Sequence, residues 1–381
     1  MAASRAKNRD YPAPHTISES AEKIARIYIE KRMSLEIQEN MPLAPLTTLS
    51  VGGPARFLTQ ARSEAQVEEA VAFSRTRDLP LFVLGGGSNL VISDQGWPGL
   101  VLQIAIDGIQ QRPQGDRIVF DAGAGVDWDD FAARAVALDC AGVECLSGIP
   151  GSVGGTPVQN VGAYGQEVSE TIVSVVAFDL AENRVRELSA AECGFSYRTS
   201  IFNTSAHGRY IILRVTYALT PNGRPTLRYA DLQKYFAGRD APTPSEVREA
   251  VRAIRASKGM LITMGDPDSK SAGSFFKNPV VSPSQYGDLT RLASERNLQL
   301  PSYPALSQQH KISAAWLVED SGFKKGYVKG RAAISSKHAL AIVNRGGATA
   351  SDIIALRNEI QDRVEETWNI RLEPEPVLVG F

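Results

Sequence analysis

Leu84-Gly85-Gly86-Gly87-Ser88-Asn89 is the stretch on which the reading of this sequence turns. The run Leu81-Phe82-Val83-Leu84 has the length and composition of a buried strand, and it stops at Gly85. Glycine reaches positive φ and lets a backbone approach a ligand closely, so the amides of Gly85, Gly86, Gly87, Ser88 and Asn89 are candidates to face a diphosphate. A tight structural turn explains one such run equally well. A second run follows downstream: Ser147-Gly148-Ile149-Pro150-Gly151-Ser152-Val153-Gly154-Gly155, continuing through Asn160-Val161-Gly162-Ala163-Tyr164-Gly165. Two clusters rich in Gly, Ser and Asn favour a nucleotide diphosphate over turns alone.

Other phosphate and metal chemistries are absent from the pattern. Gly85 onward lacks the GxGxxG spacing, and the residues after it read as strand rather than helix. There is no GxxxxGK[ST] loop, no GxSxG elbow and no HExxH, and only 4 histidines are present, so no metal site is expected.

The chain has 381 residues, 43% hydrophobic and 22% charged, which suffices for two or three domains. Lys and Arg total 41 against 42 Asp and Glu, so no basic excess exists to neutralise a nucleic acid. Cys140, Cys145 and Cys193 are too few for a disulfide framework. No apolar run of membrane-spanning length and no signal-peptide core are seen. The expectation is a soluble, cytoplasmic protein with no membrane or nucleic-acid partner.

From Leu49 the pattern is mixed helix and strand. Ser63 with Gln66 predicts a capped helix through Arg77, with Val67, Ala70 and Val71 inward. Strands are predicted at Leu100–Ile106, Ile118–Asp121, Ile172–Leu180 and Tyr210–Leu219. Helices are predicted at Asp127–Cys140, Ser245–Lys258 (with Ser245 as cap), Ser313–Asp320 and Ala350–Trp368. The last aligns Ile353, Leu356, Ile360, Val364 and Trp368 on one face. Before this region, the opening through Pro14 reads as disordered and Ser18–Gln38 as a surface helix, with Met33 and Met41 as alternative starts.

The two glycine loops, together with Gln159-Asn160-Val161-Gly162-Ala163-Tyr164-Gly165, Tyr197-Arg198-Thr199-Ser200-Ile201-Phe202, Gly273-Ser274-Phe275-Phe276-Lys277-Asn278-Pro279 and Leu372-Glu373-Pro374-Glu375, resemble the UDP-N-acetylenolpyruvoylglucosamine reductase (MurB) family. The Gly-Ser-Phe-Phe-Lys-Asn-Pro string is the specific part; the glycine loops are shared more widely among flavoproteins. The resemblance runs from about Leu46 to the C-terminus. It implies an α+β fold: a two-part FAD-binding region of the PCMH/VAO type plus a C-terminal substrate-binding α/β domain. The expected division is an extension over 1–40, a first FAD-binding domain over 41–107 plus 371–381, a second over 108–258, and a substrate domain over 259–370. Tyr229-Ala230-Asp231-Leu232 is similar to the tyrosine loop of the longer subclass, with Ala230 where Gly is usual. Gly259–Asp268 is longer than the family pattern.

The resemblance implies NADPH-dependent reduction of UDP-N-acetylglucosamine enolpyruvate through non-covalent FAD, by a monomer. Cofactor contacts would fall on Gly85, Gly86, Gly87, Ser88, Asn89, Gly148, Pro150, Gly151, Gly154, Gly155, Asn160, Gly162, Ala163 and Tyr164. Ser274 would donate a proton, Arg198 would pair with a carboxylate gaining charge, and Glu375, stiffened between Pro374 and Pro376, would polarise the intermediate. Tyr229, Lys258 and Asn278 would bind substrate. From residues alone, Ser274 reads as a turn or cap serine, Arg198 as a surface ion-pair partner and Glu375 as a solvated carboxylate. Two other readings remain: another FAD-dependent oxidoreductase of the same fold, and a non-catalytic UDP-sugar-binding module.

Overall fold

The computed structural model describes residues 35–239 and 241–381. The first sheet is built from β1 (Gln38–Pro42), β2 (Pro54–Ala61), β3 (Leu81–Leu84) and β5 (Trp97–Ile104), in the order β1-β2-β5-β3. β2, β5 and β3 run parallel, and the helix Glu64–Thr76 provides the crossover between β2 and β3. Ser63 caps that helix by accepting from the Gln66 amide. The Gln66 side chain accepts from Arg62 N rather than Ser63 N, which shifts the return arm of the expected capping box by one residue. β4 (Leu90–Ile92) follows the first glycine loop and pairs in parallel with the C-terminal strand Val377–Val379. Residues 18–34 of the expected N-terminal helix lie outside the described residues. Leu35 is buried, and Gln38 opens a strand pairing with Leu58, so helix does not extend to Gln38.

The second unit comprises β6 (Ile109–Gln114), β7 (Arg117–Gly123), β8 (Cys140–Ala141), β9 (Gly162–Ala163), β10 (Gln166–Glu167), β11 (Ile172–Asp179), β12 (Arg184–Ser189) and β13 (Tyr210–Pro221). Its main antiparallel path is β12-β11-β13-β7-β6, with β8 pairing the end of β13. The helix Trp128–Ala137 lies on the sheet and stacks Trp128 and Phe131 against Tyr217. It ends before Cys140, which belongs to β8. Asp127, not part of the helix, is its cap. The helix Pro244–Ser257 begins two residues earlier than expected: Thr243, not Ser245, caps it through a reciprocal box with Glu246, and Pro244 occupies the first position where no amide donor is needed. A short helix at Ala230–Tyr235 was not legible in the sequence pattern.

The third unit holds β14 (Ser271–Ser274), β15 (Val280–Val281), β16 (Ser302–Pro304), β17 (His310–Ile312), β18 (Val328–Lys329), β19 (Ala332–Ile334) and β20 (Ala341–Asn344). The order β14-β20-β19-β18 makes one sheet and β15-β17-β16 another. Ala350–Trp368 packs its whole predicted face, from Ile353 to Trp368, into the core. Truncating the fully buried Trp368 to Ala should cost about 3–5 kcal/mol. Asn369 then adopts left-handed backbone and turns the chain back, while Gln361 Nε2 holds the carbonyl of Leu372 at 2.7 Å. That turn sends the tail across to the first unit, where it ends as β21 (Val377–Val379).

Candidate active site

The returning tail assembles the site. Pro374 pairs antiparallel with Phe276, and Lys277 N and Glu375 N donate to Glu373 O and Phe275 O at 2.9 Å each. Glu375 therefore lies beside the strand that carries Ser274. Arg198 Nε approaches Glu375 Oε1 to 3.2 Å, an ion pair without a well-aligned hydrogen bond, and Arg198 Nη1 donates to Gly162 O at 2.9 Å. Burial pushes the Glu375 carboxyl above its usual range, and Arg198 and Lys277 pull it only part of the way back. Arg198 holds φ 55, a conformation costly for a side chain with a β-carbon, inside the tight Ser196–Thr199 turn. Asn203 Nδ2 fixes that turn by donating to Arg198 O at 3.0 Å.

Ser274 closes β14 opposite Ala341, half-buried, and its hydroxyl has no hydrogen-bond partner among the described residues. Thr48 ties this strand to the first glycine loop: its Oγ1 donates to Ser271 O at 2.7 Å, and its amide donates to Gly87 O at 3.1 Å. Asn89 completes the convergence. Its Nδ2 donates to Gln159 Oε1 at 2.7 Å and to Glu375 O at 3.2 Å, while Gln159 Nε2 reaches Glu375 Oε1 at 3.5 Å. Arg198, Ser274, Glu375 and both glycine loops thus meet in one place.

The glycine loops divide between packing and exposure. A β-carbon on Gly86 would fall 2.5 Å from Gly151 Cα, and one on Gly154 would fall 2.6 Å from Ala124 Cβ. Those glycines are required because the two loops touch each other and the sheet. Gly155 is different, since its nearest neighbour would be Ser152 Oγ at 3.9 Å. The amides of Gly86, Gly87 and Ser88 have no acceptor among the described residues, and the buried Ser147 and Ser152 hydroxyls are unpaired. Such a set of free donors around glycine backbone fits a diphosphate-bearing cofactor. Asn160 contributes differently: its side chain is taken up by Glu167, Ser196 O and Ser169 N, leaving only backbone toward a ligand.

Among the substrate candidates, Tyr229 sits edge-on to Tyr164 at 5.3 Å, 42% exposed. Lys258 Nζ lies 5.8 Å from the Tyr229 ring centre and donates to Asp231 Oδ2 at 2.6 Å. Asn278 Oδ1 accepts from Ala314 N at 2.9 Å, so half of that amide anchors the helix Ala314–Asp320.

Several residues of the site were not singled out by sequence reasoning. Buried Arg255 donates to Gly148 O at 3.1 Å and Met260 O at 2.6 Å. Its signal was available: with Val247 and Val251 it forms an i, i+4, i+8 row, a charge on an apolar helix face. Asp129 holds Gly148 N at 2.6 Å and pairs with Arg248 and Arg252 of that same helix. Burial raises its pKa, but Arg248 and the Gly148 amide more than reverse this. Thr48 gave no signal, because its partners lie far away in the chain; Gln159 stands in a stretch that carries the resemblance, but its role beside Asn89 and Glu375 was not assigned.

With this geometry in place, the comparisons decide the family. A model described as FAD binding domain matches residues 55–189, and one described as UDP-N-acetylenolpyruvoylglucosamine reductase, C-terminal domain, matches 266–379. A UDP-N-acetylenolpyruvoylglucosamine reductase of Thermobifida fusca is 45% identical over 358 residues, covering 91% of this chain and 99% of the relative. The chain belongs to the UDP-N-acetylenolpyruvoylglucosamine reductase family. Another member, from Mycobacterium tuberculosis, is 45% identical over 359 residues, covering 90% of this chain and 95% of its own length. The crystal structure of the Thermus caldophilus reductase of this family superposes with a TM-score of 0.61 at 26% identity, covering 91% of this chain and all of that one. The family's FAD-binding fold is therefore the fold of this chain.

Proposed function

We propose that this chain reduces UDP-N-acetylglucosamine enolpyruvate to UDP-N-acetylmuramate with NADPH, in peptidoglycan precursor synthesis. The observation that carries the reading is the tail pairing that sets Glu375 beside the Ser274 strand and 3.2 Å from Arg198. FAD, held by Gly85–Asn89 and Gly148–Gly155, supplies hydride transfer when bound. No histidine stands in the first glycine loop to tether it covalently.

Hydride arrival at the vinyl carbon leaves charge beside the substrate carboxylate. Arg198 is the cation placed to stabilise that charge, and Glu375, inclined by burial to hold a proton, polarises it. The Ser274 hydroxyl, free of protein partners, delivers the proton that completes reduction. Lys258 and Tyr229 bind the nucleotide end, and Asn278 uses its free amide nitrogen there. Action as a monomer is part of the same reading. No helix among the described residues is long and apolar enough to cross a membrane; a cytoplasmic site of action is inferred. The direct check is NADPH oxidation by the purified protein with and without the enolpyruvyl UDP-sugar. A rate that does not depend on that substrate would contradict the proposal.

A further inference from the structure

The long segment Gly259–Asp268 has no place in the proposed mechanism, yet its inner residues touch the site. It forms a closed loop. A β-carbon on Gly259 would sit 3.2 Å from Asp268 Cβ, Thr263 and Ser269 hydrogen-bond across it, and Asp266 and Asp268 fasten its far end to Lys337 and Ser336 at 2.6 Å each. The loop has two distinct faces. Met264 is wholly exposed and Ile262 more than half so. Met260 and Leu261 point the other way. A β-carbon on Gly273, the residue before Ser274, would meet Met260 Cε at 3.7 Å, and one on Gly148 would meet Leu261 Cδ1 at 2.9 Å. Arg255 fastens both contacts from behind by donating to Gly148 O and Met260 O.

We infer that Met260 and Leu261 are positioning residues that clamp the second glycine loop to the Ser274 strand and keep water from the Ser274 hydroxyl. The physical reason is twofold. Gly148 and Gly273 both have positive φ and no side chain, so neither residue covers its own backbone. Met260 lies over Gly273, and Leu261 with the Arg255 side chain lies over Gly148; an alcohol donates a proton usefully only where bulk water does not compete for it. Methionine suits the Gly273 side because its unbranched chain follows an irregular surface.

This inference rests on the proposed function, and the test separates the two. Met260→Ala, Met260→Leu, Leu261→Ala and Met264→Ala would be compared with the full-length wild type. FAD affinity is read from flavin fluorescence, and each half-reaction from stopped-flow absorbance. Leu261→Ala should weaken FAD binding about tenfold, the order expected for one truncated packing contact. Met260→Ala should leave FAD affinity and the NADPH half unchanged, and slow the substrate half about tenfold. Met260→Leu should restore most of that loss. Met264→Ala, on the outer face, should match the wild type. If Met260→Ala and Leu261→Ala behave like Met264→Ala, or if Met260→Ala slows both halves alike, the clamp is wrong. A wild type that binds no FAD or ignores the enolpyruvyl substrate would instead overturn the proposed function.

Discussion

Arg198 and Glu375 meet at 3.2 Å although one belongs to a hairpin turn of the second unit and the other to the C-terminal tail. The contact exists because the chain after Trp368 reverses at Asn369 and lies against Phe275–Lys277. It binds the carboxylate into a site where burial favours the protonated form while a cation opposes it. Two opposed influences of that kind leave a carboxyl able to exchange a proton.

Glu375→Gln keeps the shape and removes the titration. We expect turnover to fall at least about a hundredfold, the share of a positioned acid or base. Stability should move the other way. The folded-state pKa of Glu375 is raised above the ordinary 4.5, so its contribution is full below pH 4.5 and is lost as pH rises through the raised value. The Gln variant escapes that loss and should be the more stable protein at neutral pH, with the difference vanishing in acid. Urea melts across pH would check this; a variant less stable at pH 7 than at pH 4, relative to wild type, would contradict it.

Lys258 is engaged by Asp231 at 2.6 Å in a partly exposed pair. A substrate phosphate must compete with that carboxylate. Asp231→Asn should therefore lower KM by about 1.5–5-fold with little change in kcat, matching the modest strength of such pairs. Lys258→Ala should raise KM about tenfold or more. Steady-state kinetics on both variants suffices. A KM that rises as much in Asp231→Asn as in Lys258→Ala would mean that the pair acts as a unit.

His338 accepts from Leu340 N at 3.0 Å and is held neutral, its pKa lowered from 6.5 to about 4 by burial first and then by Lys258, Lys325 and Arg255. Stability from this depressed group is present above pH 6.5 and is lost as pH falls through about 4. His338→Asn keeps a neutral acceptor, so up to about 3 kcal/mol of acid destabilisation should disappear. Wild-type and variant melts recorded between neutral pH and pH 4 test it; parallel curves would exclude a role for His338.

The N-terminal boundary is testable by truncation. Deleting residues 1–34 should leave turnover within about tenfold. Deleting 1–42 also removes buried Leu35, the Glu36 carbonyl that accepts from Thr59 at 2.8 Å, and β1. That variant should lose about 2–4 kcal/mol, read from urea melts. Equal stability of the two truncations would show β1 to be dispensable.

How far the sequence could be read follows the range of the interactions. Leu81–Leu84 and Ala350–Trp368 have the boundaries their patterns predict, because period and flanking residues are local. Thr243 was missed as a cap because Ser245 also fits a cap, and only the Pro244 position decides between them. Pro283–Glu295 was missed too, although Ser282, Pro283 and Gln285 spell a capping box. Gly86 reads as a ligand glycine in sequence, while in the fold its need comes from Gly151 across the loop. Thr48 and Leu261 act on distant segments, and no local pattern announces them; the stretch holding Gln159 is recognisable, but not the residue's partners Asn89 and Glu375.

The central claim is that Ser274 supplies the proton after hydride has reached the substrate. Ser274→Ala isolates it, because the NADPH half makes no use of the hydroxyl. Stopped-flow absorbance of the flavin should show that half at nearly the native rate. The substrate half should be slower by about 10²–10⁴, with substrate affinity little changed. Equal slowing of both halves would make Ser274 structural, and no slowing of either would place the proton on another group.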